Sequence, residues 1–207
     1  MRVTPPAVPA LAIALALALV APVLLPAPAA AQNGVVLDEP APIPAFALED
    51  HYGRAWTDEA LDGGWTLVML GFTHCPDVCP FTMANLEAVV AELSLRVRPD
   101  SVPQVIFLSV DPDRDRAGLA TYARHFHPDF LGVTGEREQI DAIVEATDGF
   151  YRFVGEGESY DVQHTSAISV IDPDGMIRAK LQPPMEPGPT AEFLARLQIS
   201  YRREQTQ

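Results

Sequence analysis

Cysteine is scarce in this chain. Two occur in 207 residues, Cys75 and Cys79, both inside "GFTHCPDVCPF" at 71–81. That count excludes the multi-bridge framework of a disulfide-stapled small domain. A bridge between these two would close a loop of three residues and restrain little of the unfolded chain. The spacing is one residue longer than the Cys-x-x-Cys of a redox dithiol, and a structural zinc site needs two further sulfur or imidazole ligands. Basic residues are also few: 14 Lys and Arg stand against 28 Asp and Glu, for a formal charge of −14. This balance argues against nucleic acid as a partner, because phosphate binding needs basic patches. It fits a protein kept soluble by its acidity and is compatible with docking to a cationic surface. No internal repeat occurs, and no low-complexity tract beyond the N-terminal region.

Long hydrophobic runs are missing too. Leu11–Val20 is apolar, but Pro22, Pro26 and Pro28 interrupt its continuation, which leaves it short for a membrane span. Arg2 is the one charged residue in the first 31, and Ala29-Ala30-Ala31 fits a small-x-small cleavage site with Gln32 as the new N-terminus. Residues 1–31 therefore read as a secretory signal peptide, with an uncleaved membrane anchor as the alternative. Residues 32–45 read as an exposed lead-in, where Pro40, Pro42 and Pro44 oppose regular structure. Residues 46–202 are the folded domain and 203–207 a tail.

Within the domain, "FALEDHYGRAWT" predicts a hairpin with Phe46 and Leu48 pointing inward and a turn at His51-Tyr52-Gly53. "WTLVMLGF" (65–72) and "QVIFLSV" (104–110) are nearly continuous apolar runs, as in central strands covered on both faces. Phe81, Met83, Leu86, Val89, Val90 and Leu93 recur at three- and four-residue steps, which predicts a helix after the cysteines. Pro80 sits in its first turn. A helix over about 116–126, a strand at 130–134 and a helix at 136–147 follow. Then "FYRFVG" (150–155) and "SAISVIDPDGMIRAKL" (166–181) supply hairpin strands, and a last helix covers about 190–202. The alternation predicts an α/β fold: a mixed sheet flanked by helices, as in the thioredoxin-like architecture.

The cysteine pair lies between a buried strand and a helix start, where sites form in α/β sheets. The helix N-terminus favours a thiolate there and lowers a cysteine pKa. If the intervening residues wind helically, the rise of about 1.5 Å per residue puts the two Cα atoms about 6 Å apart. That separation permits a disulfide and also lets both sulfurs hold one soft metal ion such as copper(I). A third ligand would be an imidazole. His74 reads as a positioning residue in the loop. His125 and His127 read as exposed histidines at a helix end, and His51 as a surface turn residue. His164 follows the flexible "GEGES" stretch, which could swing it over the cysteines; the pattern alone leaves it open between ligand and ordinary loop residue. In "SVDPDRD", Asp111, Asp113 and Asp115 read as a strand-to-helix turn with an aspartate cap, or else as a polar wall beside the cysteine loop. Met185, in a Pro-rich turn, reads as a packed or exposed residue and not as a thioether ligand.

Four stretches in order, "GFTHCPDVCP", "FLSVDPDRD", "GVTGEREQI" and "YDVQHTSAISVIDPDG", resemble the Sco/SenC family of copper-delivery proteins of cytochrome c oxidase assembly. The resemblance runs from Phe46 to Leu197. It implies a thioredoxin-like fold with an inserted hairpin and an N-terminal extension. It implies one copper ion, as copper(I) or copper(II), held by Cys75, Cys79 and His164, the last 85 positions beyond the second cysteine. It implies a periplasmic metallochaperone near the inner membrane, with oxidase subunit II and its CuA centre as recipient and a periplasmic copper carrier upstream. The alternative it carries is a thiol–disulfide reductase in which Cys75 and Cys79 cycle through a disulfide. One position departs from the family pattern: Gln163 stands before His164 where an aspartate is common.

Overall fold

A computed structural model describes residues 34–155, 157 and 160–206. The signal or anchor segment read at 1–31 lies outside the described residues. In chain order the elements are β1 (Gly34–Pro42), β2 (Ala47–Asp50), β3 (Ala55–Thr57), β4 (Thr66–Gly71), α1 (Val78–Ser94), β5 (Gln104–Ser109), α2 (Pro112–Asp115), α3 (Leu119–Phe126), β6 (Leu131–Thr134), α4 (Arg137–Ala146), β7 (Tyr151–Val154), β8 (Asp161–His164), β9 (Ile168–Ile171), β10 (Met176–Leu181) and α5 (Pro187–Glu204).

The apolar run that reads as a central strand forms β4, and all six of its residues are buried. Such a strand needs neighbours and cover on both faces. It pairs parallel with β5 on one side and antiparallel with β9 on the other. The sheet order is β1-β10-β9-β4-β5-β6-β2-β3, with β7 and β8 forming a separate two-stranded ribbon. The parallel pairs need crossover connections, which α1 and the α2–α3 segment supply. Helices α1 and α5 pack against each other, and α3 lies against β6. The mixed sheet flanked by helices is the fold class expected from the alternation of elements.

Four local expectations differ from the structure. The proline-rich lead-in is not irregular: Gly34–Pro42 is an edge strand, antiparallel to β10. Proline is tolerated at a sheet edge, and a register shift between Val36 and Ala41 carries Pro40 past the ladder. Phe81 is 57% exposed although the periodicity points it inward; Met83, Leu86, Val89 and Leu93 carry the buried stripe without it. The helix expected at 116–126 starts with Leu119, preceded by the short turn of α2. The final helix runs on to Glu204, into the expected tail.

The contrast within α1 is testable. Met83→Ala removes a fully buried side chain and should cost about 2–5 kcal/mol. Phe81→Ala should change stability by less than about 0.5 kcal/mol. Urea midpoints at constant slope measure both, and equal losses would contradict the assignment of the helix faces.

Candidate metal centre

Strand β4 ends at Gly71, and the chain turns sharply before entering α1. A turn bond from Cys75 N–H to the Phe72 carbonyl (3.2 Å) shapes the loop. Asp77 occupies the N-cap position of α1 but its side chain makes no cap bond. The Cys75 sulfur takes that place, accepting the Cys79 N–H at 3.4 Å. One of the free amides of the first helical turn is satisfied in this way, and the same contact brings the two sulfurs to one side of the turn. Both cysteines are free thiols; Cys75 is half-buried and Cys79 buried. Gly71 is required beside them: a Cβ there would meet the Phe107 ring at 2.5 Å and Cys79 Sγ at 3.2 Å.

His164 is not on a flexible loop. It closes strand β8, paired with Tyr151 of β7. Along a strand alternate residues share a face; Val162 is buried and His164 half-buried, while Asp161 and Gln163 are exposed. His164 Nε2 lies 3.3 Å from Cys79 Sγ. Its Nδ1 lies 2.9 Å from the Thr165 carbonyl oxygen. A carbonyl can only accept, so Nδ1 carries the proton and Nε2 presents a lone pair to the sulfurs. Phe72 packs edge-on against the imidazole, with centroids 6.0 Å apart. One ligand atom each from Cys75, Cys79 and His164 lies within 4.8 Å of the others.

Burial governs the protonation of the site. It pushes the Cys79 thiol far above the ordinary thiol range, and the Cys75 sulfur and the Asp115 carboxylate add to the rise. The helix start, expected to favour a thiolate, is outweighed at Cys79 by this desolvation. Burial lowers the His164 pKa against the smaller raising effects of Thr165 and Asp161. The imidazole therefore stays neutral and able to ligate at neutral pH. Two thiols and a neutral imidazole form a soft donor set of the kind that suits copper(I).

The other histidines are elsewhere. His74 contacts Asp115, Nδ1 to Oδ1 at 3.3 Å, as a positioning residue would. His125 is exposed, and His127 accepts the Asp129 N–H locally. His51 is not a free surface residue: it accepts the Gly132 N–H at 2.9 Å and ties the β2–β3 turn to β6. Met185 is buried. Gln163 turns away from the cysteines and accepts from Arg152 at 2.6 Å on the outer face of the ribbon, so the departure from the family pattern falls outside the donor cluster. The aspartate turn is more than a cap. Asp111 stands at the α2 N-cap with no cap bond, and both Asp111 and Asp115 are completely buried. The Asp115 carboxylate accepts the Thr73 N–H (2.8 Å), the Thr73 hydroxyl (2.6 Å) and the Ser109 hydroxyl (2.7 Å).

A dithiol–imidazole cluster at the end of a central strand defines a thiol-bearing α/β domain with a built three-donor centre. The SCO1/SenC family model matches residues 37–198. The chain is 40% identical over 134 residues to the human mitochondrial SCO1 homolog, across 63% of this chain and 44% of that protein. It thus spans about half the length of that relative. Among solved structures, yeast Sco1 with copper bound superposes with a TM-score of 0.71 at 28% identity, covering 78% of this chain and 91% of that one. Bradyrhizobium japonicum ScoI with copper bound gives 0.67 at 30% identity, covering 76% and 99%. The chain belongs to the SCO1/SenC family, and its fold is thioredoxin-like, with the β7–β8 ribbon inserted between α4 and β9.

Burial predicts the reactivity of the reduced thiols. At about pH 7.5, iodoacetamide should modify Cys75 first and Cys79 at least about 10-fold more slowly. The Cys79 rate should still climb as pH passes the ordinary thiol range, since its thiolate forms only above it. Peptide mass spectrometry after timed quenching reads both rates; equal rates at the two positions would contradict the asymmetry.

Proposed function

We propose that this protein is an exported copper metallochaperone that holds one copper ion through Cys75, Cys79 and His164 and delivers it to the CuA centre of cytochrome c oxidase subunit II. The observation that carries the reading is the convergence of three soft or borderline donors within 4.8 Å of one another. The copper-bound relatives of yeast and Bradyrhizobium support copper as the cargo. Residues 1–31, with the pattern of a secretory signal, support export to the periplasm; a periplasmic carrier would supply the metal. Among the described residues no helix is long and apolar enough to cross a membrane.

The donors differ in what they do. Cys75, half-exposed, is the first sulfur an incoming thiolate can replace or relieve. Cys79 is buried, and its sulfur lies 3.3 Å from Nε2 of half-buried His164. Handover then runs as stepwise ligand exchange from the Cys75 side. Uptake requires Cys79 to lose a proton, while His164, already neutral, has none to lose at Nε2.

The same asymmetry favours a second reading, reduction of the recipient's cysteines. Accessible Cys75 would attack a recipient disulfide, and Cys79 would then attack the mixed disulfide, leaving the recipient reduced and a Cys75–Cys79 disulfide here. The two readings separate at His164. Titration of copper(I) into reduced protein should show His164→Ala weakening affinity more than about 10-fold, the loss seen on changing even an outer partner of a ligand. Wild-type affinity in this variant would remove His164 from the site. In cells lacking the native protein, His164→Ala should fail to restore oxidase assembly, as should Cys75→Ser and Cys79→Ser. Full restoration by His164→Ala alone would favour the reductase.

A further inference from the structure

The donor cluster joins two segments that share no strand pairing. The cysteines sit on the loop after β4, and the histidine sits on a ribbon outside the main sheet. Something must set the distance between them. The contacts of α2, the short turn in "SVDPDRD", reach both.

Asp115, at its end, anchors the cysteine loop through Thr73, as described above. Asp111, at its start, anchors the ribbon. The Tyr160 hydroxyl donates to both Asp111 oxygens, at 2.9 and 3.1 Å. Tyr160 immediately precedes β8. Arg114 closes the arrangement: its Nε donates to Asp111 Oδ2 at 2.5 Å, and its Nη1 donates to the Tyr160 carbonyl at 2.9 Å. The guanidinium also lies 3.6 Å from the centre of the Tyr160 ring. Ser109 ties the Asp115 carboxylate to the Asp111 backbone, donating its hydroxyl to Asp115 and accepting the Asp111 N–H at 3.2 Å.

We infer that Asp111, Arg114 and Tyr160 form a latch that holds His164 in register over Cys75 and Cys79. They are positioning residues, because none belongs to the donor cluster. Two fully buried carboxylates four positions apart on one tight turn would each be costly without partners. Besides Ser109 and Arg114, each has a partner on one of the two segments, Thr73 for Asp115 and Tyr160 for Asp111, so satisfying both carboxylates sets the spacing of the donors. The Tyr160 hydroxyl is the element that can be released alone. Its bond is charge-assisted, while the ring keeps its stack on Arg114 after the hydroxyl is removed. Opening this latch frees the start of β8 and lets His164 leave the sulfurs without disturbing the cysteine loop.

This inference rests on the proposed donor set. The test uses the full chain with Tyr160→Phe, His164→Ala and the control Asp113→Asn, whose exposed carboxylate pairs with Arg137. In the reduced, metal-free protein, Tyr160→Phe should speed amide hydrogen exchange at 161–164 about 10-fold or more, with exchange in β4 and α1 unchanged. Its copper(I) affinity should fall about 10-fold. Its copper(II) form should show weakened imidazole-nitrogen coupling in electron paramagnetic resonance, while both thiolate bands remain. Asp113→Asn should match wild type in all three. If Tyr160→Phe leaves exchange at 161–164 unchanged, the latch is overturned, whatever copper does. If exchange quickens but affinity and nitrogen coupling stay wild-type while His164→Ala loses both, Tyr160 is structural only and the positioning role is overturned. If His164→Ala itself changes neither, the donor assignment fails instead, and a positioning role towards His164 fails with it.

Discussion

The 3.3 Å approach of Cys79 Sγ to His164 Nε2 closes a contact between residues 85 positions apart, and much of the surrounding structure serves it. The sulfur side is set by β4. Its buried end delivers the chain to the cysteine turn, and Gly71 leaves room there for both Phe107 and Cys79. The imidazole side is set by the β7–β8 ribbon. There the Thr165 carbonyl fixes the tautomer and the Phe72 ring fixes the plane. Each half has its own local hydrogen bonds and packing. The juxtaposition of the halves depends on buried carboxylates, a stronger and more specific restraint than apolar contact supplies.

Burial gives the two sulfurs different characters. Cys75 caps the helix and reaches solvent; Cys79 is enclosed, and its thiol is held protonated by desolvation. The half-buried sulfur is the one an incoming group can approach, and the Cys-x-x-x-Cys turn produces that difference within one helical turn. The extra residue relative to Cys-x-x-Cys places the sulfurs four positions apart, on the same side of the helix start.

Much of this was legible in the sequence, and the misses share a cause. Strands β4 and β5 announce themselves by continuous apolar runs, α1 by its periodicity, and the β2–β3 and β9–β10 hairpins by their turn residues. Strand β8 was hidden because its four residues follow glycines and acids that read as a loop signal, and its pairing partner β7 precedes them in the chain. Phe81 fits the helical period yet faces out, since spacing alone does not mark where a buried stripe begins. Asp111 and Asp115 look like turn residues because their local pattern is that of a turn. The partners that make them structural, Thr73 and Tyr160, lie 42 and 49 positions away. The proposed donor set came from the family resemblance; local pattern alone left His164 undecided.

The central claim is that one copper ion is held by two sulfurs and one imidazole. X-ray absorption spectroscopy of the reduced full chain loaded with one equivalent of copper(I) tests it most directly. The account predicts one copper per chain, with two sulfur scatterers and one nitrogen scatterer that shows the outer-shell pattern of an imidazole. A spectrum with sulfur neighbours alone, or with nitrogen and oxygen neighbours alone, would contradict it.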